Sequence, residues 1–156
     1  GSTTDSDRAS SPAASRDQRI TQGKLVRRVE MVFQQVLQLN ERGGTVELFV
    51  FQQEVPLMQL WRGCVLEISA GLAEELFDGE LAGLIAHELG HSYFEDEMAA
   101  AQRSQDTRAM RQVELKCDAV AVLSLKLMGQ NPGLYLKGLH RISVLNQRQS
   151  RSCCRL

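Results

Sequence analysis

Residues 78–94 read Asp78-Gly79-Glu80-Leu81-Ala82-Gly83-Leu84-Ile85-Ala86-His87-Glu88-Leu89-Gly90-His91-Ser92-Tyr93-Phe94. Asp78 is a strong N-cap residue, and the spacing predicts a helix from there to about Phe94. Leu81, Leu84 and Ile85 bury one side of it, so the helix belongs to the interior of a small α+β domain. At its far end His87 and His91 lie four residues apart and share a face.

Two imidazoles on one helical turn can hold a single metal ion. Glu88, about 100° further round the helix, can hang over the open side of that ion as a general base. Two His and one Glu at these fixed offsets arise by chance in well under about 1% of chains of ordinary composition. The chain has only 3 His, and two of them fall here. The competing view, a structural Glu and two structural His beside an apolar face, gives them no task.

A catalytic zinc takes three protein ligands and keeps one position open. The long metzincin pattern requires a Gly and a third His shortly after the motif; Phe94 and Glu97 hold those positions. His140 is a possible third ligand on a late helix. Glu95, Asp96 and Glu97 compete but must curl back to reach. Glu114 is the better choice. It sits on a helix of its own with Asp118 one turn later, and two carboxylates at that spacing repel unless a cation is near. Asp118 suits the role of accepting a hydrogen bond from the far nitrogen of a ligand His.

His87-Glu88-Leu89-Gly90-His91 followed by Glu114-Leu115-Lys116-Cys117-Asp118 resembles the gluzincin metallopeptidases, most closely the HtpX-like and CAAX-prenyl-protease family with its H-E-x-x-H and E-x-x-x-D motifs. Ile68-Ser69-Ala70-Gly71-Leu72, ahead of Glu80 to Ala86, is similar to that family's strand and turn. The resemblance covers about residues 45–145, and the soluble minigluzincins are of similar size. It implies a zincin-like fold and hydrolysis of extended polypeptide by one zinc ion held by His87, His91 and Glu114. Glu88 would be the base and Asp118 would support a ligand His. His140, Tyr135 and Arg141 are candidates for the donor that stabilises the oxyanion. By analogy the substrate pairs as an added strand, with Cys64–Ser69 as the expected cleft edge. The chain departs from the family at Pro56 to Gly63, where an Asn-Ala-Phe and Gly-Gly stretch is usual, and after Asn146, where no late His-Pro element follows. A phage-repressor-cleaving zinc peptidase is a near neighbour, and Asp118-Ala119 fits it less well.

Outward from the motif, Leu25, Val29, Val32, Phe33, Val36 and Leu37 predict a helix over 17–40, ended before Gly43-Gly44. Val46, Leu48 and Val50 alternate within a strand over Thr45–Phe51. A loop with Pro56 and Trp61 leads to a second strand, Cys64–Ser69, and Gly71 marks a turn. The polar stretch 95–112 has no assignable element and is expected to run close to the cleft. Val113 to Met128 is helical, closed by Gly129. Asn131-Pro132 opens a last helix along Leu136, Leu139, Ile142 and Leu145. Residues 1–16, rich in Ser, Thr, Ala and Arg, read as a flexible linker, 17–147 as the catalytic domain, and 148–156 as a flexible tail.

The 18 basic and 19 acidic side chains leave a net charge of -1, which gives no electrostatic case for nucleic acid. No apolar run reaches the roughly 18 residues of a membrane span. Gly1-Ser2 reads as a tag remnant, so an excised domain is expected, and a membrane anchor elsewhere in a parent protein stays open. Of the 4 Cys, Cys64 and Cys117 read as core residues, and Cys153-Cys154 make a poor disulfide framework. Two other functions remain: a zinc-binding regulatory or sensor module with a latent site, and an interaction domain in which the motif is structural.

Overall fold

The structure, a computed structural model, describes residues 18–153. The linker expected over 1–16 and Cys154 lie outside them. The fold is α+β, as the alternation of short strands and longer helical repeats predicts. Among the described residues are β1 (Arg19–Ile20), α1 (Lys24–Leu39), β2 (Glu47–Phe51), β3 (Met58–Trp61), β4 (Val65–Ser69), α2 (Ala70–Glu75), α3 (Asp78–Tyr93), α4 (Glu95–Arg103), α5 (Thr107–Leu127) and α6 (Gly133–Cys153). No helix among them is long and apolar enough to cross a membrane.

The strands form one sheet in the order β1-β2-β4-β3. β2 and β4 are parallel, with Val50 opposite Ile68, and β3 returns antiparallel to β4, with Leu60 opposite Leu66. Leu66, Ile68 and Val50 turn one face towards the helices and are buried. β4 is therefore interior, and the free edge beside it is β3. This corrects two expectations: Cys64–Ser69 is not the cleft edge, and Met58–Trp61 is a strand rather than loop. β3 is only four residues long and lacks β-branched residues, so its signal is weak. A tight turn pins it: Arg62 and Gly63 both have positive φ, at 49° and 69°, and Cys64 N–H donates to the Trp61 carbonyl at 3.1 Å. Cys64 sits on this turn and is exposed, not a core residue.

α1 starts later than the 17–40 periodicity suggests. Gly23, at φ 112°, stops the helix from extending backwards, and Arg19–Ile20 pairs with β2 instead. Gly71 lies within α2 rather than at a turn; Ser69 Oγ caps that helix from Leu72 N–H and also accepts from Leu57 N–H at 3.0 Å. Asp78 is the first residue of α3 and not its cap. The Phe77 N–H is satisfied by Glu80 Oε1 at 2.9 Å, and Asp78 pairs with Arg28 at 2.7 Å. The unassigned stretch 95–112 forms α4 and the first turns of α5, capped by Asp106 on Ala109 N–H at 3.0 Å. α6 continues through Cys153, over residues expected to begin a flexible tail.

α3 is the axis of the molecule. Every residue from Glu80 to Ala86 is buried, because the sheet and α1 cover one side and α5 and α6 the other. Leu81, Ile85 and Leu89 are fully buried, each contributing about 1.5–3 kcal/mol. Two glycines set how close the neighbouring helices come. A Cβ on Gly83 would lie 3.2 Å from Tyr135 Cα on α6, and one on Gly90 would lie 2.9 Å from Cys117 Cα on α5. Any side chain at Gly90 would hold α5 away from α3.

Candidate metal centre

The Gly90–Cys117 contact has a direct effect on the site. Cys117 lies between Glu114 and Asp118 on α5, and Gly90 lies between His87 and His91 on α3. Backbone contact at this point brings the two carboxylates onto the two imidazoles. His87 Nε2 is 3.3 Å from Glu114 Oε2, and His91 Nε2 is 3.5 Å from Glu114 Oε1. The His rings stand nearly edge to face, with centroids 5.2 Å apart at 78°. The donor atoms of His87, His91 and Glu114 all lie within 4.8 Å of one another. Ligands at about 2.1 Å around a tetrahedral ion are spaced roughly 3.4 Å apart, so the cluster has the dimensions of a single-ion site. Two imidazoles and a carboxylate suit several first-row divalent metals, zinc among them.

The cluster is open to solvent on one side. The Glu114 side chain is 47% exposed, His91 29% and His87 15%. A groove of about 630 Å³ runs along α1, lined by Val26, Met31 and Gln38 among others, and includes no residue of the cluster. The donor atoms mark the candidate site; the α1 groove does not. Burial holds His91 below the usual imidazole range, and Glu114 opposes that shift. A neutral imidazole is the form that binds a metal.

Glu88 points to the β3 side of α3. Burial raises its carboxyl to about 7, against a lowering hydrogen bond from the Leu60 backbone and a further rise from the nearby Glu114. A carboxyl poised near neutral pH beside a metal cluster has the proton affinity of a general base. The Leu60 backbone is a neighbour of Glu88 that sequence reasoning missed, because it lies on a strand that was read as loop.

Behind His87 the structure brings Asp118 to the far ring nitrogen, as the sequence suggests, and adds Tyr135 there. Asp118 Oδ1 lies 3.0 Å from His87 Nδ1. The Tyr135 hydroxyl lies 2.8 Å from the same nitrogen and donates to Asp118 Oδ1. Tyr135, a candidate oxyanion donor, thus stands on the far side of His87 from the Nε2 that faces Glu114. Arg141, another candidate, holds the buried Glu80 with Nε 2.8 Å from both carboxylate oxygens. His140 is exposed on α6, and no contact joins it to the cluster among the described residues. None of the three is brought to the open side of the cluster.

Asp118→Ala is expected to weaken metal binding about 10–100-fold without emptying the site at saturating metal, because it removes the acceptor behind His87. Competition against a chromophoric chelator reads this directly; unchanged affinity would remove Asp118 from the site.

No known family model matches the chain, and no curated protein does.

Proposed function

We propose that the chain is the catalytic domain of a zinc-dependent endopeptidase acting on extended or unfolded polypeptide, of the gluzincin type that its two motifs resemble. One observation carries the reading: two His and a Glu from separate helices converge at single-ion spacing, with a second Glu of raised proton affinity beside them. His87, His91 and Glu114 would hold the ion. Zinc, when bound, supplies the Lewis acidity that makes water a nucleophile near neutral pH.

The chain's own groups account for the rest. Glu88 accepts a proton from the attacking water and returns it to the departing amine as the peptide bond breaks. β3, as the free edge next to Glu88, is where an extended substrate would add as a strand, its main chain giving affinity without demanding a particular sequence.

The test is metal content together with turnover. Protein purified without chelator should hold one zinc per chain and digest unfolded casein, and chelation should stop the digestion until zinc is restored. Zinc without turnover would favour a regulatory zinc module; no zinc at all would end both readings.

A further inference from the structure

The cluster behind His87 includes a residue from a third helix. Tyr135 belongs to α6, and only its hydroxyl reaches the site. It lies 2.8 Å from His87 Nδ1 and donates to Asp118 Oδ1, which is itself 3.0 Å from that nitrogen. The two rings lie nearly parallel, at 20°, with centroids 5.9 Å apart. Tyr135 is 2% exposed, so water does not compete strongly for these bonds.

We propose that Tyr135 is a positioning residue of the metal centre, fixing the tautomer and ring orientation of His87 together with Asp118. The inference rests on the reading of His87 as a metal ligand. Its logic is donor and acceptor inventory. Asp118, when ionised, only accepts. The Tyr135 hydroxyl gives its one proton to Asp118, so its oxygen has only lone pairs left for His87. Both groups facing Nδ1 are then acceptors, and Nδ1 must carry the ring proton. Nε2, which faces Glu114, is left with its lone pair free, the form a ligand needs. Asp118 alone would favour the same tautomer. Tyr135 adds a second acceptor for the Nδ1 proton and a wall that stops the ring from rotating.

The packing supplies an independent reason to read this as a built arrangement. Gly83 lies four residues before His87, one turn back on α3. A Cβ there would lie 3.1 Å from Tyr135 Cβ and 3.2 Å from Tyr135 Cα. The missing side chain lets α6 approach closely enough for the Tyr135 ring to lie along α3 and end at His87. Gly138, a turn further along α6, continues this contact against Glu80 and Leu84. A tyrosine retained only for packing has no need to end its hydroxyl on a ligand His.

The experiment uses Tyr135→Phe in the full chain, with two readouts. The first is the tautomer of His87 in metal-free protein, from long-range nitrogen–proton NMR of the imidazole, with Glu114→Ala in both the Tyr135 and the Tyr135→Phe forms to remove the carboxylate 3.3 Å from Nε2. The form with Tyr135 should show the Nδ1-protonated ring alone, and Tyr135→Phe a mixture. The second is zinc affinity by chelator competition, expected to fall about 10-fold, with most of the loss recovered by no substitution other than return to Tyr. A purely structural role would lower the unfolding temperature and leave both readouts unmoved, which would overturn the proposal. Should the variant fail to fold, the wild type decides: the Tyr135 hydroxyl proton must appear as a slowly exchanging resonance with a cross peak to the His87 ring, and its absence overturns the assignment. The tautomer and hydroxyl readouts need neither zinc nor turnover. A protein that shows them but cleaves nothing would sink the peptidase reading and leave this one standing.

Discussion

Glu88→Gln should keep the metal, lose peptide hydrolysis by about 10²–10⁴-fold in kcat, and make the metal-free protein more stable at pH 8. The amide keeps the size of the side chain and can still accept from Leu60, but it cannot take a proton. The stability gain follows from the direction of the shift. Burial raises the folded-state carboxyl from 4.5 to about 7. The folded protein therefore holds this proton more tightly than the unfolded chain. Below pH 4.5 the group is protonated in both states and costs nothing. As pH rises from 4.5 through about 7, relative stability is lost, and above 7 the full cost of the buried charge is present. Removing the charge should recover ~1–3 kcal/mol at pH 8 and little at pH 4. Urea titration of metal-free wild type and variant at both pH values measures this, and casein digestion at saturating zinc measures the rate. A variant that cleaves at the wild-type rate would show that Glu88 is not the base.

Gly90→Ala should damage stability and metal binding together. The added Cβ would lie 2.9 Å from the Cys117 Cα and 3.1 Å from its Cβ, and neither backbone nor a fully buried side chain can give way cheaply. α5 must move outward, at a cost of about 1–3 kcal/mol from overpacking. The same movement carries Glu114 and Asp118 away from the two His. A shift of even half an ångström spoils a site that needs ligands at about 2.0–2.2 Å, so zinc affinity should fall at least ~100-fold. A useful contrast is Gly43→Ala, on a loop where an added Cβ meets nothing within 4 Å. It should leave zinc affinity unchanged. Equal affinities for the Gly90 variant and wild type would mean that the α3–α5 contact does not set the site.

The α3 motif could be read from sequence because its information is local. His87, Glu88 and His91 sit on one helix, whose period alone fixes their directions. Glu114 and Asp118 were also legible, since their spacing on a second helix is again local and only the meeting of the two helices is not. That meeting is written in the pairing of Gly90 with Cys117, two small residues whose partnership appears only in three dimensions. β3 escaped notice because four residues without β-branching carry little strand signal, and its identity comes from a turn with two left-handed residues. Helical signal in 95–112 was masked by charge: Glu95, Asp96 and Glu97 suit the first turn of α4, where the helix dipole favours them. Tyr135 was singled out for its chemistry but expected on the open side of the cluster rather than behind His87, because sequence spacing cannot tell which end of a histidine ring a distant helix will meet.

The Leu60 backbone, which lowers the Glu88 carboxyl against its burial, links the proposed base to an edge strand of the sheet. Rim strands open at lower free energy than the strands they flank, and β3 holds β4 over only four residues. Amide exchange at Leu60 then becomes a reporter on the carboxyl: the proton that protects Glu88 from wandering is the one that leaves when the rim opens. An extended chain settling on β3 should slow that exchange and so quieten the base before any bond is cut, which makes the Leu60 amide a sensor of occupancy readable in a protein that never turns over.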